Sequence, residues 1–349
     1  MSKKVGILLS GGVDSAVALY LLLEKGYDVT AYHMKTVADD LYITKQIKHK
    51  VCCSPSDTYD AQLIAKKLNV PFKVMHVEKV FRERIIDYFI NENIQGKTPN
   101  PCFFCNDYIK FGVVMDQALS DGMDFVASGH YARIIDGKLY KAIDKNKDQS
   151  YFLASIKKEK LTRIILPNGD YSKDEIRKIA QEVGIHVAQK IDSQDLCFLP
   201  DSDFKSFFSE NGVNIQKGNI ITIDGKIIGQ HEGLPFYTIG QRKFGVATGQ
   251  KYYVKSKNVD GNYIVVAPLD ELYQKEMYVG NLNIFEDLPE QFSATVKIRK
   301  KFNEVKCSVK NLGEKLQVTF DEPTFAVTPG QIAVFYNEDE VLCAGVIEK

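Results

Sequence analysis

Over residues 1–200 short apolar runs alternate with segments of helical period, the pattern of strands linked by crossover helices in a parallel α/β sheet. Lys4 to Leu9 reads as a buried strand, and Asp14 to Lys25 as a helix ended by Gly26. Asp28 to Met34 and Phe72 to Val77 read as further strands. Ser54-Pro55-Ser56-Asp57 combines an N-cap, a first-turn proline and an acid three residues on, opening a helix towards Leu68. A helix is expected over Val80 to Asn91, stopping before Gly96. After a loop at Lys97 to Pro101, another should pass through Phe111 and Met115. Phe125 to Ala127 predicts a strand ended by Ser128-Gly129-His130. Asp136-Gly137, between two alternating runs, predicts a hairpin, and Ser172 with Glu175 a capping box for a helix to Gly184.

The texture changes after Pro200. Asp201 to Asn211 suits one more helix, and beyond Gly218 short alternating strands are separated by turn dipeptides such as Asp224-Gly225 and Asp260-Gly261. From Met277 a second β region follows: Ala294 to Lys300, Val305 to Val309, Leu316 to Phe320, Ile332 to Tyr336 and Leu342 to Ile347. That spacing predicts a small barrel. Three domains are therefore expected: a nucleotide-binding catalytic domain over 1–200, a small, mostly β central domain over 201–275 and a C-terminal β-barrel over 276–349.

The 349 residues are too many for one ordinary domain, which agrees with this division. Lysine plus arginine equals aspartate plus glutamate at 45 each, so net charge gives no global argument for a polyanionic partner. RNA binding would have to rest on local patches. No apolar stretch is long enough for a bilayer and the N-terminal apolar run lacks a cleavage site, so a cytoplasmic protein is expected. Seven cysteines without an export signal favour catalysis or metal binding over a disulfide framework.

Ser10-Gly11-Gly12-Val13-Asp14-Ser15 lies between the first strand and the first helix. Its glycines let the backbone turn tightly and approach a ligand, and the helix start offers N–H groups to phosphate oxygens. No Gly-Lys-Ser/Thr follows, so this is not a Walker A loop, and the third glycine of a dinucleotide fingerprint is missing. A phosphate loop without its own lysine suits a diphosphate that leaves, as in adenylation. The segment resembles that of the PP-loop ATP pyrophosphatases, whose Rossmann-like fold is adenine nucleotide alpha hydrolase-like.

Thr98-Pro99-Asn100-Pro101-Cys102-Phe103-Phe104-Cys105-Asn106 is the second constellation. Cys105 is expected near a helix start, where the dipole lowers a thiol's pKa. A Cys-x-x-Cys redox pair and half of a zinc site are equally open on these residues, although no second Cys-x-x-Cys exists. Cys197 sits between apolar residues, a setting in which cysteine usually packs as a small hydrophobe, and the same reading suits Cys307 and Cys343. Cys52 and Cys53 remain unassigned. Lys297 to Lys301 is a basic segment suited to phosphates, and equally to a solvated edge strand.

In this order the loop, His33-Met34-Lys35, Thr98 to Asn106, Ser128-Gly129-His130-Tyr131, Asp144 to Phe152, Asp195 to Phe198, Gly240-Gln241-Arg242-Lys243 and Ala326 to Gln331 resemble the motif series of the tRNA-specific 2-thiouridylase family over nearly the whole chain. The resemblance implies an enzyme that uses ATP and Mg2+ to replace an oxygen of the wobble uridine with sulfur. Leu8, Leu9, Ser10, Gly11, Gly12, Val13, Asp14, Ser15, Met34 and Gly129 would line the ATP site. Cys105 would be the nucleophile and Cys197 the persulfide carrier. Asn100, Pro101 and Cys102 would touch the target base, and His130, Lys147, Asp148, Gln149, Arg299, Lys300 and Gln331 the tRNA. The resemblance also assigns tRNA binding to the central domain over 201–275. The partners implied are a tRNA anticodon stem-loop and a sulfur-donor relay protein, with no membrane. One departure stands out: many members carry aspartate where this chain has Cys102. Cys102, Cys105 and Cys197 could then hold an iron–sulfur cluster instead of serving as a persulfide pair.

Overall fold

The structure, a computed structural model, describes residues 2–36, 55–190, 196–199, 203–247, 249 and 251–348. Cys52, Cys53, the Ser54 cap and the start of the expected helix at Asp201 lie outside them. Contacts divide the chain into two units, the first built from Met1–Ile86, Cys102–Ser202 and Asp339–Val341, the second from Asp87–Pro101, Asp203–Glu338 and Leu342–Lys349.

The first unit holds a five-stranded parallel sheet. Its strands are β1 (Lys4–Leu8), β2 (Asp28–Lys35), β3 (Phe72–His76), β4 (Phe125–Ser128) and β7 (Ile164–Ile165), ordered β3-β2-β1-β4-β7. β1 is buried from Val5 to Leu8, as a strand covered on both faces must be. Helix α1 (Val13–Glu24) buries Val13, Ala16 to Leu19, Leu21 and Leu22, nearly its whole circumference, in the core it shares with Ile7, Val29 and Ala127. Helix α2 (Pro55–Lys67) contributes Ala61, Ile64 and Ala65 to that core.

β1 is flanked by β2 on one side and β4 on the other, so the strand order reverses between β1 and β4. In open parallel sheets ligands bind in the crevice outside the strand ends at such a point. The loops leaving β1 and β4 here carry Ser10–Gly12 and Gly129-His130.

The expected hairpin forms between β5 (Ala132–Ile135) and β6 (Lys138–Lys141), with Asp136 and Gly137 both at positive φ (51° and 76°), as a type I′ turn requires. The capping box also forms: Glu175 N–H donates to Ser172 Oγ at 3.3 Å and Ser172 N–H to Glu175 Oε2 at 2.7 Å, opening helix α3 (Lys173–Glu182). The cysteine segment opens a helix where expected. Its helix begins at Pro101, so Cys102 occupies the first turn and Cys105 closes the segment Pro101–Cys105. The dipole effect fades within one turn, so it acts on Cys102 rather than Cys105. Wider π turns follow over Asn106–Val114, kinked at Gly112 (φ −103°, ψ −108°).

The second unit contains two β structures. Strands β8 (Gly218–Thr222), β9 (Ile227–His231), β10 (Tyr253–Asn258) and β11 (Tyr263–Ala267) form one sheet in the order β10-β11-β8-β9. Strands β12 (Tyr273–Ile284), β13 (Gln291–Lys297), β14 (Val305–Asn311), β15 (Leu316–Phe325), β16 (Ile332–Asn337) and β17 (Glu340–Ile347) run in the order β12-β15-β14-β13-β16-β17, and pairing of β12 with β17 closes them into a barrel. Closure removes the unpaired edges that an open sheet would leave. Cys307 and Cys343 lie in the barrel core, packed as the small hydrophobes the sequence suggests. The strand expected over Ala294 to Lys300 instead ends at Lys297, so Arg299 and Lys300 lie in the turn that follows.

Candidate functional site

The phosphate loop is built around two glycines with no room for a side chain. Gly11 has φ +78°, and a Cβ there would stand 2.3 Å from the carbonyl oxygen of Asp57 in the first turn of α2. Gly129 leaves β4 so close to α1 that a Cβ would lie 2.6 Å from Asp14 C and Ser15 N. Only glycine permits both approaches. Gly12 is the N-cap of α1 and supplies no side-chain cap, so the first-turn N–H groups are available to an anion. Ser15 Oγ donates to Gly12 O at 3.1 Å and accepts from Ser10 N–H at 3.2 Å, which fixes the turn from within.

Of the residues expected to line this site, Leu8, Leu9 and Val13 have buried side chains that belong to the core. The backbone of Leu9 is engaged as well. Leu9 N–H donates to Tyr32 O at 2.9 Å and its carbonyl accepts from His33 Nδ1 at 2.8 Å. His33 is fully buried, and its Nε2 accepts from Thr58 Oγ1 at 2.9 Å. Burial lowers its pKa, more than Leu9 O and Asp57 raise it, so the ring stands neutral and joins the end of β1 to α2. Met34 lies half-buried near the end of β2.

Four residues outside the expected ATP-site set complete the loop, of which only Tyr131, in the Ser128-Gly129-His130-Tyr131 motif, was marked in the sequence. Lys173, the first residue of α3, places its ammonium 2.7 and 2.9 Å from the two carboxylate oxygens of Asp14. Tyr131 adds its hydroxyl, donating to Asp14 Oδ1 at 2.6 Å. Asn168, wholly buried, donates from Nδ2 to Asp14 O at 2.9 Å and Gly129 O at 3.0 Å, bridging the two glycine loops, while its Oδ1 has no hydrogen-bond partner. Lys190 donates to Gly11 O, Asp57 and Asp60. The loop carries no lysine of its own, yet the fold sets two ammonium groups beside it. The available sequence signals were the Ser172 capping box, which places Lys173 at a helix start, and the turn composition Pro167-Asn168-Gly169-Asp170.

His130 follows Gly129. Its Nδ1 donates to Ser128 Oγ (2.8 Å), and Nε2 accepts from the Lys110 ammonium at 3.3 Å, an arrangement that requires the neutral ring. Desolvation first, and the Lys110 charge second, hold its pKa well below the ordinary histidine value. Asp148 and Gln149 turn their polar groups inward: Asp148 accepts from Ala142 N–H, Ser150 N–H and Ser150 Oγ, and Gln149 Oε1 accepts from Tyr131 N–H at 2.9 Å. Lys147 beside them is half-exposed.

Cys102 is exposed, while Cys105 and Cys197 are half-buried. Asn106 holds the start of their segment, donating from Nδ2 to Cys102 O at 3.1 Å and Phe152 O at 3.3 Å. Phe198, next to Cys197, packs edge-on to Phe81 at 6.0 Å. Among the described residues no group of three or more His, Cys, Asp and Glu side chains converges as a metal site.

In the second unit the Thr98 segment is anchored at three points. Thr98 N–H donates to Pro329 O at 2.9 Å, Gln331 Nε2 donates to Thr98 O at 2.7 Å, and Lys257 Nζ reaches Lys97 O at 3.3 Å. Asn100 is half-buried and Pro101 buried. Arg299 donates from Nη2 to Ile239 O (3.1 Å), Ala326 O (2.6 Å) and Thr328 Oγ1, so it braces this unit from within. Lys300 is exposed. Among the described residues no helix is long and apolar enough to cross a membrane.

Residues 3–201 match the family model described as the tRNA methyl transferase HUP domain, 206–268 the tRNA methyl transferase PRC-barrel domain and 274–347 the aminomethyltransferase beta-barrel domain. A protein of Fervidobacterium nodosum named tRNA-specific 2-thiouridylase MnmA is 79% identical over 348 residues, covering 100% of both chains. Proteins of the same name from Pseudothermotoga lettingae and Thermosipho melanesiensis are 54% and 57% identical, covering 99% and 93% of this chain and 99% and 96% of their own. With full-length identity of this order joined to a glycine-built nucleotide loop, the chain belongs to the tRNA-specific 2-thiouridylase family.

Proposed function

We propose that the chain catalyses ATP-dependent 2-thiolation of the wobble uridine, position 34, of tRNA. The coarse activity follows from the family: the chain is a tRNA sulfurtransferase acting on uridine. The observation that carries the finer reading is the pair of glycine seats at Gly11 and Gly129, which bring an uncapped helix start and backbone N–H groups to the sheet's switch point.

The C2 oxygen of uracil cannot leave as oxide. It attacks the α-phosphorus of ATP and expels diphosphate, so that it later departs as part of AMP. The terminal sulfur of a persulfide on Cys197 attacks C2 and AMP leaves. The Cys105 thiolate then attacks Cys197 Sγ, which leaves the transferred sulfur on C2 and forms a Cys105–Cys197 disulfide. An external thiol reductant restores both cysteines, and a sulfur-donor protein reloads Cys197. Mg2+ bound with the ATP phosphates would offset the charge of the leaving diphosphate.

Asn100, Pro101 and Cys102 are placed at the target base, which must leave the anticodon stack to react. Lys147, Lys300 and the central β region over 201–275 are assigned to the tRNA backbone. His130, Asp148, Gln149, Arg299 and Gln331 act there through the loops they brace. An iron–sulfur cluster on Cys102, Cys105 and Cys197 would need the three thiols to converge.

The test is nucleoside mass analysis of tRNA incubated anaerobically with the protein, ATP, Mg2+, a thiol reductant and a persulfide-level sulfur donor, a cysteine desulfurase with cysteine. 2-Thiouridine at position 34 is expected, with AMP and diphosphate formed in equal amounts, and its absence would sink the reading. Iron content and visible absorbance of anaerobically purified protein separate the two cysteine chemistries: a persulfide enzyme is colourless and iron-free.

A further inference from the structure

We infer that Lys190 is a positioning residue for the nucleotide: its ammonium clasps the Gly11 peptide of the phosphate loop to helix α2 and pre-forms the loop that ATP enters. This rests on reading the loop as the ATP site. Lys190 Nζ donates to Gly11 O at 3.1 Å, Asp57 Oδ1 at 2.7 Å and Asp60 Oδ2 at 2.6 Å, and its side chain is only 16% exposed. The same two elements already touch through backbone, since Gly11 is seated against the Asp57 carbonyl. A glycine-rich loop has much conformational freedom to lose, and a clasp that removes it before binding lowers the cost of ordering.

The geometry also says what Lys190 does not do. An ammonium has three donors, and three acceptors occupy them, which leaves none for a phosphate oxygen. The residue therefore acts through the loop and is not a ligand of the diphosphate. Burial, the largest influence, pushes its pKa down, but hydrogen bonds and charge from Asp57 and Asp60 outweigh this and raise it, so the clasp is charged at neutral pH. His186, 3.0 Å from the other Asp60 oxygen, completes the cluster and contributes to holding Asp60 ionised.

The prediction is a split between KM and kcat. Lys190→Met should raise KM for ATP about tenfold, the consequence of losing one charge-assisted hydrogen bond, with kcat at saturating ATP changed less than about threefold. Lys190→Arg should recover most of the affinity. The measurements are ATP titration by calorimetry and steady-state AMP formation with tRNA present, on protein whose folding is checked by thermal melting. An unchanged KM in a folded Lys190→Met variant overturns the inference, as does a fall in kcat at constant KM. If Lys190→Met does not fold, Asp57→Asn carries the test: a raised KM for ATP supports the clasp and an unaltered one overturns it. Failure of the wild-type protein to bind ATP would overturn the site reading itself, and it appears in the first titration, before any variant is compared.

Discussion

Asp14 of the phosphate loop and Lys173 at the head of α3 form an ion pair in which one ammonium spans both carboxylate oxygens, at 2.7 and 2.9 Å. Lys173 is nearly buried, so removing either partner leaves a charge in a poor environment. Lys173→Met should cost about 3 kcal/mol of unfolding free energy by urea titration. Adding Asp14→Asn should cost less than the sum of the two single changes, because the orphaned charge is then gone. Additive losses would show that the pair is not coupled.

Gly129 tests the loop from the other side. Alanine there forces backbone against backbone at 2.6 Å, which no side-chain rotation relieves. Gly129→Ala should lower stability by about 1–3 kcal/mol, as overpacking does, and weaken ATP binding more than tenfold. Wild-type ATP affinity in this variant, read by calorimetry, would contradict the close approach.

The buried histidines set an acid limit on stability. Burial lowers the pKa of His33, His130 and His231 below 6.5 in the folded chain. As pH falls below about 6.5 the unfolded chain takes up protons that the folded chain refuses, so their contribution is present above that value and lost towards the folded pKa values. Each such group lowers stability by up to about 1.4 kcal/mol per pH unit within that window. Urea unfolding at pH 7.5, 6.5 and 5.5 should show a decline confined to the acid side, and His33→Gln should make it shallower.

The cysteines should divide by reactivity. Burial pushes the Cys307 thiol up to about 12 and Cys343 higher still, so neither should react with iodoacetamide in the native protein at neutral pH. The exposed Cys102 should react first. Cys105→Ser and Cys197→Ser should each abolish sulfur incorporation while tRNA binding persists, whereas Cys307→Ser should keep activity and lose about 1–2 kcal/mol of stability. Thiolation by either of the first two variants, measured as 2-thiouridine, would remove the assigned chemistry.

Local signals carried much of the architecture. The Asp136-Gly137 turn and the Ser172–Glu175 box formed where neighbouring residues alone specify them, and the barrel strands followed their alternation. Boundaries were less legible. The basic segment at Arg299 was expected in a strand, but the strand ends at Lys297 and the guanidinium is drawn to Ala326 O and Ile239 O. At Arg299 tertiary partners outweighed local preference. Cys105 was expected near a helix start, and the helix begins at Pro101, four residues before it, with Cys102 in the first turn.

By itself the sequence determined the backbone geometry of the Ser10–Ser15 loop, because glycines between a buried strand and a helix impose a turn that needs no distant residue. It also determined the order of the domains, since periodicity is a local property. Only the tertiary structure decided which charges serve that loop. Lys173, Lys190 and Asn168 stand far along the chain from Gly11 and Asp14, and the local signals at Lys173 and Asn168, a capping box and a turn, say nothing of the loop they serve. A hydrogen bond depends on separation in space, and only the sheet's strand order brings these side chains to the same end of β1.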